Sequence, residues 1–400
     1  LEIYGDIIMS DENFKKFEQE LFNTLVERNP HFATHLGIHE YDHLLPDGSY
    51  QKHREDIELI EEAKEKLRSF DPGDLSDENR FAREVGIHVL DMMLFSEKKI
   101  EMWKKNPSVP SVIGSAIFPL LKRDFAPFQE RLESIIGRID GIPEFIESSK
   151  SSLIDPVRLW VDMALESVEQ LPMLFKLVLI MSQKEEVDEG TLKKLSKSID
   201  RADQALEEYG VWLEEKRQEA EDEFTIGKEL FDELLEKRKL GYTAEEILEL
   251  GERYLEETRK NMDMYAAEID PDKGTWEVLE DITSQTPSNI GEALDWYRQG
   301  LEEAKEFIIE KDLCTIPEDE EIEVTETPDY LRHIIPYAAY MGPAKYDDIK
   351  KGIYLVTPPQ NHGWEKMSYW DVRNTTVHEG YPGHHLQISC ATTVEDLLIT

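Results

Sequence analysis

The sequence predicts a mainly helical fold carrying a small β-sheet. Apolar residues recur at three- and four-residue spacing along most of the chain, helix-start signals stand at the heads of those stretches, and only two short segments alternate or run β-branched. The 400 residues, 40% of them hydrophobic, suffice for one large domain or two ordinary ones. No Gly/Ser-rich linker divides them, so residues 1–400 read as a single mainly helical domain.

In chain order, residues 12–28 place Phe14, Phe17, Leu21 and Leu25 on one helical face. Residues 57–70 and 77–102 keep the same spacing. Pro127 and Pro156 open helices over 127–149 and 156–181, since a first turn makes no use of the N–H that proline lacks. Helices follow over 190–219, 225–238, 243–269 and 289–311, the third headed by Thr243 and Glu246 in a capping-box pattern. Residues 329–340 are expected as a helix bent at Pro336. Against these, residues 321–325 alternate like a half-buried strand, and 352–357 are β-branched and aromatic until Pro358 and Pro359 stop them. A small sheet beside the last helix is the result.

Lys and Arg number 45 and Asp and Glu 86, a net charge of −41. Such a surface repels phosphate backbones and anionic lipid, so neither nucleic acid nor a membrane is an expected partner. Acidic runs such as 318–321 read as solvated surface, because no calcium-loop spacing accompanies them. Cys314 and Cys390 are the only cysteines, which excludes a disulfide framework and suggests a reducing compartment. Residues 1–9 carry acids where a signal peptide carries bases, and no run approaches the ~20 apolar residues of a membrane span. These observations predict a cytoplasmic location.

Histidines cluster twice. His31, His35, His39 and His43 are spaced by four and contain a literal H-E-x-x-H match, His39-Glu40-Tyr41-Asp42-His43. That motif binds zinc only on an unbroken helix, where imidazoles four apart share one face and a metal at about 2.0–2.1 Å. Here Gly37 precedes it and Leu44-Leu45-Pro46-Asp47-Gly48 follows, so a helix ending in a turn, with surface imidazoles, is expected instead. The second cluster is His378, His384 and His385. On a regular helix His378 and His384 stand about 9 Å apart along the axis, too far to share an ion. A bulge at Tyr381-Pro382-Gly383 would bring them together.

His378-Glu379-Gly380-Tyr381-Pro382-Gly383-His384-His385-Leu386-Gln387 resembles the H-E-x-x-P-G-H-x-x-Q signature of the family called domain of unknown function 885, which is grouped with zinc-peptidase-like proteins. Ala33-Thr34-His35-Leu36-Gly37-Ile38, Arg123-Asp124-Phe125-Ala126-Pro127 and Gly227-Lys228-Glu229-Leu230-Phe231 resemble its recurring segments, so the likeness runs from about residue 12 to the end. The resemblance implies a large, bundle-like helical fold of the zincin metallopeptidase type, with the small sheet beside the active-site helix. It implies zinc on His378 and His384, with Glu379 as general base. It also implies a third, glutamate ligand on a later helix, and no such segment follows His384 before Thr400. The chain is therefore expected to continue past Thr400, the alternative being an incomplete metal site.

The expected function is a zinc-dependent peptidase acting on small peptides, with carboxypeptidase action as one form of it. A zinc hydrolase of non-peptide amides and a non-catalytic helical binding protein are the alternatives. His385 is a candidate to steady an oxyanion or a substrate carboxylate, or else to pack beneath the helix. Tyr337, Tyr340, Tyr354 and Tyr381 are candidate oxyanion or substrate contacts, with core packing as the competing role. The strand over 352–357 is a candidate to pair with an extended peptide.

Overall fold

The structure, a computed structural model, describes residues 2–332, 335–359, 363–364 and 367–398. It opens with α1 (Glu2–Arg28), α2 (Pro30–Leu36), α3 (Tyr50–Ser69), α4 (Asp77–Phe95), α5 (Met102–Lys105) and α6 (Val109–Lys122). Three long helices follow: α7 (Phe128–Lys150), α8 (Arg158–Lys184) and α9 (Glu189–Glu219). Then come α10 (Gly227–Lys237), α11 (Ala244–Ile269), α12 (Thr275–Thr283) and α13 (Ile290–Lys311). The strands are β1 (Glu320–Glu326), β2 (Ala338–Met341) and β3 (Lys350–Val356), and α14 (Tyr369–Glu379) and α15 (His384–Ala391) close the order. The expected mainly helical fold with a small sheet is what forms. Among the described residues no helix is long and apolar enough to cross a membrane.

The chain gathers into two compact units: Leu1–Leu230 with Ala344–Asp348 and Val394–Thr400, and Phe231–Pro343 with Ile349–Thr393. In the first, α3 packs on α4, and α7 is flanked by α6 and α9. Helix α6 is buried over most of its surface, from Val109 and Ile113 through Phe118 to Leu121. Arg138 is fully buried beside it and donates to the carbonyls of Leu44, Pro30 and Ala116 and to the Thr34 hydroxyl. Every donor placed this way answers an acceptor that would otherwise lose its water unrepaid.

In the second unit α13 lies against α14 and β1. The sheet has the order β1-β3-β2, with β1 parallel and β2 antiparallel to β3. Its core joins Tyr297 and Leu301 of α13, Val324, Tyr354, Val356, Val372, Tyr381 and Leu386. Burying this cluster brings α14, α15, the sheet and α13 into register.

Three expectations change here. The helix over 329–340 does not form: Asp329–Leu331 is one 3-10 turn, residues 333–334 lie outside the described residues, and Ala338–Met341 is β2. Pro336 denies a helix its N–H and turns the preceding residue extended, while β3 offers a strand edge to pair with. That pairing also removes β3 as a peptide-binding edge, because β1 and β2 already hold both its sides. Among the described residues β1 and β2 are the outer strands of the sheet. The helix over 77–102 likewise stops at Phe95, continues as a wide turn over Ser96–Ile100, and turns left-handed at Glu101 (φ 53°).

Candidate metal centre

Helix α14 starts on a reciprocal cap. The Asp371 N–H donates to Ser368 Oγ at 3.1 Å, and the Ser368 N–H donates to Asp371 Oδ2 at 3.2 Å. Val372 and Thr376, four apart, face the core, which turns His378 outward and leaves Glu379 half-buried. The helix ends at Glu379, and α15 begins afresh at His384. The expected bulge is thus a complete break. Gly383 crosses the end of α14 so closely that a Cβ there would stand 1.7 Å from the His378 carbonyl oxygen, so no other residue fits.

The break redirects His384 toward His378. Their ring centroids are 4.9 Å apart and the rings stand at 88°. With Glu379 they form a group whose ligand atoms all lie within 4.8 Å of one another. Two converging imidazoles suit a divalent transition metal, zinc among them, with the Glu379 carboxylate beside them, and both histidines are open to solvent. The donor set fits the metal that the signature implies.

Behind this cluster lies a buried network the sequence did not reveal. His385 is fully buried, with Nδ1 2.8 Å from the Tyr340 hydroxyl and Nε2 bonded to Glu320. The Glu320 carboxylate also accepts from Tyr381 Oη at 2.5 Å and from Lys305 Nζ. Burial alone would raise the Glu320 carboxyl, but the bonds from His385, Lys305 and Tyr381 outweigh it and hold it down to about 2. Glu320 had been counted in the solvated acidic run 318–321. Its signal was the alternation of β1, which puts Glu320, Ile322 and Val324 on one face. Gly352 makes room for Tyr340: a Cβ there would lie 2.1 Å from that hydroxyl.

The remaining candidates scatter. Tyr354 is buried in the core with its ring 5.2 Å from Tyr297, and burial pushes its hydroxyl well up. Burial and Glu320 push Tyr381 up as well. Tyr337, 64% exposed, touches neither histidine ring in any described hydrogen bond. His385 lies beneath the helix with both ring nitrogens engaged.

The first histidine cluster follows the expected helix ending in a turn, with His43 at the surface, but His31, His35 and His39 are partly buried rather than exposed. His39 sits in a 3-10 turn, Nδ1 2.7 Å from Asp42 and Nε2 2.9 Å from Asp347, its ring stacked 3.6 Å from Phe125. Burial opposes its charge, but the two carboxylates outweigh burial and raise it to about 9. Both ring nitrogens are thereby engaged. His31 and His35 are mostly buried, and burial, aided by nearby cations, lowers each to about 4.

A family model described as "Bacterial protein of unknown function (DUF885)" matches residues 30–399. No curated protein matches the sequence. Among solved structures, "a putative lipoprotein of unknown function" from Shewanella oneidensis superposes with a TM-score of 0.72 at 19% identity, covering 96% of this chain and 73% of that one. The "putative lipoprotein" from Colwellia psychrerythraea gives 0.71 at 13% identity, covering 95% and 72%. At these identities the likeness is one of fold. The descriptions nonetheless overturn the expected cytoplasmic location. It rested on two cysteines and on nine terminal residues, and neither observation reports a compartment.

Proposed function

The chain belongs to the DUF885 family, and on that footing we propose that it is a zinc-dependent peptidase, with His378 and His384 as metal ligands and Glu379 as general base. One observation carries the reading. Side chains that a regular helix would hold about 9 Å apart converge across the 380–383 break, with their ligand atoms within 4.8 Å. A chain that spends two exposed histidines and a close-packed glycine on such a turn is organised around an ion.

Zinc bound there supplies a Lewis acid that polarises a carbonyl and lowers the pKa of water to about 7. Glu379, half-buried beside the two imidazoles, accepts the proton of the attacking water and returns it to the leaving amine. The zincin-type classification of the fold belongs to the same proposal, and small peptides are the substrate class it favours.

Metal analysis tests the premise. The purified protein is expected to hold one zinc per chain, lost in His378→Ala and in His384→Ala and kept in His39→Ala and His43→Ala. Zinc kept in the first pair and lost in the second would move the site to the other cluster.

A further inference from the structure

Resting on the zinc reading, we propose that Glu320 is the positioning residue of the metal centre. It pins the first turn of α15 through His385 and the 380–383 break through Tyr381, and so sets where His384 stands relative to His378. The carboxylate is 2% exposed and takes hydrogen bonds from three separate stretches: Lys305 on α13, Tyr381 in the break and His385 on α15. The arrangement that satisfies every partner has His385 donating from Nε2 to Glu320 and accepting at Nδ1 from Tyr340. Rotating that ring would break two buried bonds at once, so it is locked.

His385 immediately follows His384, and adjacent helical residues diverge by about 100°. Holding one ring in the core therefore holds the other out toward His378. The exposed ligand has little packing of its own and takes its orientation from the buried neighbour. Residues that orient metal ligands in this manner typically change metal affinity by about 10–100-fold when removed.

The test compares the parent with Glu320→Gln, Glu320→Asp and Tyr340→Phe by zinc affinity against a competing chelator, by the visible spectrum of bound cobalt(II), and by thermal unfolding without metal. Glu320→Gln is expected to weaken zinc about 10–100-fold and alter the cobalt bands. Glu320→Asp should recover part of the affinity. Tyr340→Phe, which removes the Nδ1 partner and leaves the Glu320 bond in place, should shift both readouts in the same direction by less. Parent affinity and parent cobalt bands in Glu320→Gln overturn the proposal while leaving the zinc reading intact. Should that variant fail to fold, Tyr340→Phe decides: unchanged affinity and spectrum overturn it. A parent that takes up no zinc overturns the reading beneath, and amide exchange over residues 380–385 then judges the positioning claim. Faster exchange in Glu320→Gln supports it, and unchanged exchange sinks it.

Discussion

At the scale of single residues, the two histidine clusters show how the same side chain is put to opposite uses. His39 is clamped between Asp42 and Asp347, which raises it to about 9, above the roughly 6.5 of an unfolded histidine. A raised histidine contributes stability that is fully present below the unfolded value and lost as pH climbs through the folded one. The melting temperature is therefore expected to fall between about pH 7 and pH 10, with part of that slope absent in His39→Gln. Equal slopes in the two proteins would show that the clamp is not charged. Arg138 makes a second residue-scale prediction. Arg138→Met strands the carbonyls and hydroxyl it serves and leaves His39 as the one cation described beside Asp42, at a cost of about 3–5 kcal/mol. Chemical denaturation measures it, and a loss below about 1 kcal/mol would mean that water replaces the guanidinium.

At the scale of elements, the decisive feature is the break between α14 and α15. Gly383→Ala must displace the His378 carbonyl, a backbone atom with no freedom to yield. Overpacking of that kind costs about 1–3 kcal/mol. On the proposed reading it is also expected to abolish zinc uptake, because the displaced carbonyl belongs to His378. A Gly383→Ala protein with parent stability and parent metal content would show that the crossing is looser than described. The same scale explains what the sequence conceals. Amphipathic helices such as α9 and α13 announced themselves, because one face is apolar and the other charged. Helix α6 did not: apolar all round and containing Pro110 and Pro119, it offers no periodic contrast. Residues 338–341 are four mixed residues that fit either period, and the edge of β3 decides between them. Likewise, the spacing of His378, Glu379 and His384 exposed the cluster, whereas Glu320 sits far away in sequence and is joined to it only by folding.

At the scale of the whole molecule, charge dominates. A net charge of −41 repels itself at low ionic strength, and salt shortens the reach of that repulsion to about 10 Å at 0.1 M. The melting temperature should therefore rise by a few degrees, on the order of 1 kcal/mol, from ~10 mM to ~300 mM sodium chloride. A fall would mean that screened ion pairs such as Arg217–Asp162 and Arg201–Asp140 contribute more than the repulsion removes. The central claim nonetheless turns on one carboxylate. Glu379→Gln keeps the shape of the side chain and deletes its basicity, so zinc content should match the parent. Hydrolysis of a panel of small peptides by the zinc-loaded protein should fall about 10²–10⁴-fold. Peptide turnover undiminished in a zinc-loaded Glu379→Gln protein would contradict the account.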